Sequence, residues 1–165
     1  MGVNVALDQK RDEIIQLIGF HVGRKLYGTD IMNVREILRD PEIESVEEND
    51  TILEGVIHLR GETIPVIDMH HCLGSADQRQ ARAKNWVLVI ETGARLVAYL
   101  VDAVTQIVRV ARESILPPPE IILVGLRSPY IRGVCETKIG LLVMLDMNRI
   151  LLSEEQKKIR QLTMV

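Results

Sequence analysis

Apolar positions along the chain come in short runs separated by turn residues, and their spacing predicts strands rather than helices. Ile14–Val22 is the first run; after Gly23-Arg24-Lys25 come Leu26–Ile31 and then Val34–Leu38. Asp40-Pro41 opens an acidic loop that reaches Asp50. Gly55–Leu59 and Thr63–Asp68 flank Arg60-Gly61-Glu62 as a hairpin. A polar, basic linker, Ser75–Asn85, precedes Trp86–Glu91, Arg95–Val101 and Thr105–Val110. Pro117-Pro118-Pro119 predicts an extended segment, because each ring locks φ and removes an N–H. Gly133–Glu136 and Ile139–Leu145 close the series. So many short strands at close spacing predict an all-β sandwich or small barrels. Ser153–Leu162 reads as a helix, with Ser153 as its cap and Glu154-Glu155 in its first turn.

A weak internal repeat organises these strands. Gly55-Val56, Asp68-Met69 and Leu73 recur 78 residues later as Gly133-Val134, Asp146-Met147 and Leu151. Gly23, Leu26, Val34 and Ile37 recur 70 residues later as Gly93, Leu96, Val104 and Ile107. Two similar β subdomains follow. The first lies mainly in residues 31–85 and the second mainly in 13–30 and 86–152, so chain exchange between them is expected. Residues 1–12 read as a flexible tail and 153–165 as a C-terminal helix and tail.

Composition narrows the function. The chain has 165 residues, 47% of them apolar, and 37 are Val or Ile, whose stiff branched side chains favour strands. Twenty Lys and Arg stand against 23 Asp and Glu, a net charge of −3 with no basic cluster, which argues against nucleic-acid binding. Five aromatics offer little platform for stacking bases. The longest apolar-plus-Gly run, Ile139–Leu145, is far short of the roughly 20 residues of a membrane helix. No apolar leader segment precedes Glu13, so a cytoplasmic protein without direct membrane insertion is expected. Cys72 and Cys135 form neither a disulfide framework nor a zinc spacing.

Candidate chemistry is sparse. Gly23 and Gly28 have phosphate-loop spacing, but Thr29-Asp30 stands where Lys-Ser/Thr is required. Met69-His70-His71-Cys72 is the one local metal candidate. Adjacent residues on a short helix point about 100° apart, which predicts a solvated His pair instead of a metal site. Asp68 and Asp146 each follow a strand and precede a helical turn, the place of a capping carboxylate. No catalytic constellation emerges, and no cofactor is expected. Arg60 stands apart. Gly61 permits a tight turn, so the guanidinium projects from a hairpin tip beside Leu59 and Glu62. It is either a solvated turn arginine or an interface anchor. Pro65, which cannot donate to a ladder, predicts an edge or a bulge nearby.

Taken together, several stretches resemble the bacterial chemotaxis coupling proteins, the CheW-like family. They are Tyr27-Gly28-Thr29-Asp30-Ile31 with Val34-Arg35-Glu36-Ile37, and Gly55-Val56-Ile57-His58-Leu59-Arg60-Gly61 with Pro65-Val66-Ile67-Asp68. Val101-Asp102-Ala103-Val104, Pro117-Pro118-Pro119, Tyr130-Ile131-Arg132-Gly133-Val134 and Leu141–Leu145 with Asp146 follow in the same order. The likeness spans residues 13–155. It implies two small SH3-like five-stranded barrels sharing an apolar core, and a non-enzymatic adaptor. Its implied partners are the regulatory domain of the CheA histidine kinase and the cytoplasmic tips of methyl-accepting chemoreceptors. Arg60 is similar to the arginine of the family's Leu-Arg-Gly turn. Val34, Glu36, Leu59 and Gly61 accompany it as partner-binding positions, and Gly55 marks a close backbone approach beside them. Two features depart from the family pattern. His58 replaces the usual Asn, which would make the setting of Arg60 sensitive to pH. The loop Glu42–Asp50 is unusually acidic, which suggests a particular partner, such as that of a gliding or twitching pathway. The competing readings are a metal-dependent enzyme using His70, His71 and Cys72, and an oligonucleotide-binding barrel.

Overall fold

The ten expected runs all form strands, and their two-sided burial explains why so many of them are apolar at consecutive positions. The computed structural model describes residues 13–46, 53–73, 85–93, 95–118 and 130–150. The tail 1–12, most of the basic linker, Pro119 and the C-terminal helix lie outside the described residues. The strands are β1 (Ile14–Val22), β2 (Lys25–Asp30), β3 (Val34–Arg39), β4 (Leu53–Leu59), β5 (Glu62–Asp68), β6 (Trp86–Thr92), β7 (Arg95–Val101), β8 (Ala103–Ala111), β9 (Ile131–Thr137) and β10 (Gly140–Leu145). One short helix, α1 (Met69–Cys72), follows β5.

The strands form two five-stranded sheets, β3-β6-β7-β5-β4 and β8-β1-β2-β10-β9. Each sheet closes on itself. Glu44, beyond β3, bridges Val56 of β4, and Leu116, beyond β8, bridges Val134 of β9. The closures explain the strongest part of the internal repeat. A Cβ at Gly55 would run into the Glu44 carbonyl, and one at Gly133 into the Leu116 carbonyl, so both seams need glycine. The two barrels are thus the same design written twice.

The hairpins are exchanged between them. β1 and β2, from the first half, lie in the sheet otherwise built from β8, β9 and β10; β6 and β7, from the second half, lie between β3 and β5. Each exchanged hairpin is bound on one side by a parallel pairing, Tyr27 with Val143 and Ala98 with Val66. This corrects the expected subdomain boundary: residues 86–101 belong to the first barrel with 34–68, while 14–30 pair with 103–145. Alternation along a strand tells which residues share a face, but not which strand lies beside it.

Burial falls in three clusters. Ile57, Ile64, Val66, Val87, Val89, Ala98 and Leu100 fill the first barrel. Leu17, Leu26, Val110, Cys135, Leu142 and Met144 fill the second. Between the barrels lies a larger core containing Phe20, Tyr27, Tyr99 and Tyr130, with Trp86 packed against it. All five aromatics of the chain therefore sit at the junction, while the barrel interiors are aliphatic or sulfur-containing. In β6 the alternation is direct: Val87 and Val89 face their own barrel, Leu88 and Ile90 the junction. A strand buried on both faces reads as a continuous apolar run.

Candidate partner-binding site

The turn Leu59-Arg60-Gly61-Glu62 has two central residues with positive φ, 50° at Arg60 and 82° at Gly61. That is the requirement of a type I′ hairpin turn, which matches the twist of the flanking strands. Gly61 adopts the left-handed region freely, but Arg60 does so at a cost of about 1–2 kcal/mol. The Arg60 side chain is 82% exposed, and its Nη2 lies 3.7 Å from Glu36 Oε1 of β3. An exposed pair of this kind contributes about 0–1 kcal/mol. The strain therefore outweighs the attraction, and stability does not account for an arginine at this tip.

Glu36 reaches the tip because β3 carries a bulge. The register slips between Val34, paired with Ile90, and Glu36, paired with Val89. Val34 then packs on the core between the barrels, whereas Leu38 and Leu59 pack on the first barrel's own core. Arg60, Gly61, Leu59 and Glu36 thus meet at one end of the barrel. Val34 lies at the start of β3, near the junction, and Gly55 is buried in the seam against Glu44. The close backbone approach expected at Gly55 is with that closing strand.

The seam continues the site. Leu38, Pro41, Ile57 and Leu59, with Glu44 and His58, line a groove of about 380 Å³. His58 Nε2 lies 2.9 Å from Glu44 Oε2, and its Nδ1 lies 3.2 Å from the Thr63 hydroxyl. His58 is therefore tied to the seam, and the cation that Glu36 meets is Arg60. The pairing of His58 with Glu44 was not visible in sequence, since it depends on the barrel closure. Pro65 sits in a strand flanked on both sides. Of the expected edge or bulge it is the bulge that is present, where β4 slips register between Leu53, paired with Ile67, and Gly55, paired with Val66. The ladder with β7 begins at Val66, so Pro65 lies just before it, where a missing N–H leaves no ladder bond unmade.

The metal candidate dissolves for a geometric reason. His70 is wholly buried, with Nδ1 3.0 Å from Asp68 Oδ1 and Nε2 2.7 Å from Asp102 Oδ2. The expected solvated His pair is thus corrected: His71 is half-buried, while His70 has both ring nitrogens on carboxylates. Among the described residues no group of three or more His, Cys, Asp or Glu is placed to hold a metal ion. The capping roles are present: Asp68 accepts from the His70 amide, and Asp146 from those of Asn148 and Arg149. No described helix is long and apolar enough to cross a membrane.

Residues 16–155 match the model of the CheW-like domain. The chain belongs to the CheW-like family. Its CheW-like fold also matches the crystal structure of the scaffolding protein TtCheW from Thermoanaerobacter tengcongensis, with a TM-score of 0.75, 26% identity, and coverage of 84% of this chain and 92% of that one. The chemotaxis protein CheW of Treponema pallidum is 28% identical over 92% of this chain and 90% of its own length. That of Klebsiella aerogenes is 31% identical over 82% of this chain and 81% of its own. CheW-like proteins are non-enzymatic scaffolds of chemotaxis signal transduction, and this chain is a coupling protein of that kind.

Proposed function

We propose that this protein links the regulatory domain of a CheA-type histidine kinase to the cytoplasmic tips of methyl-accepting chemoreceptors, within membrane-associated signalling arrays. The observation that carries the reading is the arginine held in a strained turn at the end of the first barrel, next to Leu59 and braced by Glu36. Strain retained on an exposed tip, with no gain in stability, is typical of a contact residue. Arg60 supplies a flat, weakly hydrated cation, and Leu59 supplies apolar surface beside it.

Two barrels of one design allow one molecule to hold two partners, which raises the effective concentration of each for the other. A difference in affinity for the active and inactive kinase arrangements would shift their populations. Because the barrels are similar but not identical, contacts between unlike faces on neighbouring molecules generate rings. Binding of the purified chain to its cognate kinase regulatory domain, measured by calorimetry, tests the reading. Micromolar or tighter binding supports it, and no binding at tens of micromolar overturns it. In receptor membranes, Arg60→Glu should abolish most kinase stimulation while circular dichroism stays unchanged. Full stimulation by that variant would remove Arg60 from the contact.

A further inference from the structure

The chain passes between the barrels at two equivalent crossovers; among the described residues one is tied to both barrels through Asp102, while at the other the Asp30 carboxylate caps its own turn at the Met32 amide. From β2 to β3 it runs through the 3₁₀ turn Ile31–Asn33, where Met32 is 86% exposed. From β7 to β8 it runs through Asp102, the residue 70 positions after Met32. There the Asp102 amide donates to the His21 carbonyl, and Asp102 Oδ2 accepts from the Gly23 amide at 2.7 Å, both in the β1–β2 hairpin of the second barrel. The same Oδ2 lies 2.7 Å from Nε2 of His70, which belongs to α1 of the first barrel. His70 Nδ1 in turn lies 3.0 Å from Asp68 Oδ1. Asp68, His70, Asp102 and Gly23 therefore form one polar chain running from the first barrel into the second.

The duplication shows what the chain would lack without these side chains. The counterparts of Asp68, His70 and Gly23 are Asp146, Asn148 and Gly93. Asp146 caps its own turn and pairs with Arg149 at 3.7 Å, and Asn148 is exposed. Across that side runs a hydrogen bond from the Tyr99 hydroxyl to the Met147 carbonyl at 3.2 Å, a neutral contact. We propose that His70 pins the two barrels at the Asp102 crossover and so fixes the relative orientation in which they present their partners. It is a positioning residue, 0% exposed and at the opposite end of β5 from the Arg60 turn. The proposal rests on the coupling reading above, because orientation matters only to a molecule that holds two partners at once.

The test uses the full chain with His70→Phe, which keeps bulk but cannot donate; Asp102→Asn, which keeps shape; and His70→Arg, whose planar fork can serve both carboxylates. Three quantities are read: hydrogen exchange at the Gly23 amide, binding to the kinase regulatory domain, and kinase stimulation in receptor membranes. In His70→Phe and Asp102→Asn, Gly23 exchange should quicken and stimulation should fall about tenfold, the size that coupling within one polar network supports. Binary binding should stay within about twofold, and His70→Arg should restore stimulation more than His70→Phe. Unchanged exchange and full stimulation in both neutral variants overturn the pin, as does an equal loss of binding and stimulation. If His70→Phe fails to fold, Asp102→Asn decides alone. A wild-type chain that neither binds nor stimulates defeats the coupling reading instead, and Gly23 exchange still reports on the pin.

Discussion

Arg60 and Tyr27 show how single residues trade stability against role. At Arg60 the left-handed backbone costs more than the Glu36 pair returns, so Arg60→Gly should raise stability by about 1 kcal/mol while lowering coupling. Thermal melting beside a kinase assay checks both, and a loss of stability would mean that the arginine contacts more of the fold than Glu36. Tyr27 is buried between the barrels, and burial pushes its hydroxyl up to about 12. The unfolded value is about 10. The folded value is the higher one, so the contribution is complete below pH 10 and is lost as pH rises from 10 towards 12. Urea midpoints at pH 9 and pH 11 should diverge in wild type and diverge less in Tyr27→Phe. The residue scale was also where sequence reading fell short. His70 looked solvated because adjacent residues on a lone helical turn point about 100° apart, but one of its partners, Asp102, lies 32 positions away. No local pattern encodes a contact of that range. Arg60, by contrast, was legible, since its turn is written in four consecutive residues.

At the scale of elements, the closing bridges carry the architecture. Gly55→Ala and Gly133→Ala each place a methyl group against a backbone carbonyl that cannot rotate aside. Both should destabilise by about 1–3 kcal/mol, the usual range for overpacking, and denaturant titration measures it. Gly61→Ala meets no atom within 4 Å, so its cost is backbone strain alone. The strands themselves were readable to within two residues at most ends, because period and turn chemistry are local. Gly55 and Gly133 stood out as a repeat before any coordinates, although the bridge each accommodates did not. The bulge in β3 that brings Glu36 to Arg60 was invisible, since it shows only in the pairing with β6.

At the scale of the whole molecule, exchange of hairpins makes the halves interdependent. A fragment of residues 13–73 retains β1 and β2 but lacks the sheet that holds them, and a fragment of 85–150 lacks the complementary one. Each should remain unfolded alone, and an equimolar mixture should recover β structure and elute as a one-to-one complex. Cooperative unfolding of either fragment by itself would refute this interdependence. The pairing of Trp86–Val101 with the first barrel was not legible, because equivalent hairpins of similar sequence satisfy either barrel equally well until the connections are known.

The confinement of every aromatic ring to the junction has a practical consequence. Near-ultraviolet circular dichroism and the emission of the lone indole, Trp86, would monitor the seating of one barrel on the other and remain almost silent to loosening inside either. An optical change on adding a signalling partner would therefore be a direct readout of altered inter-barrel packing, obtained without any label.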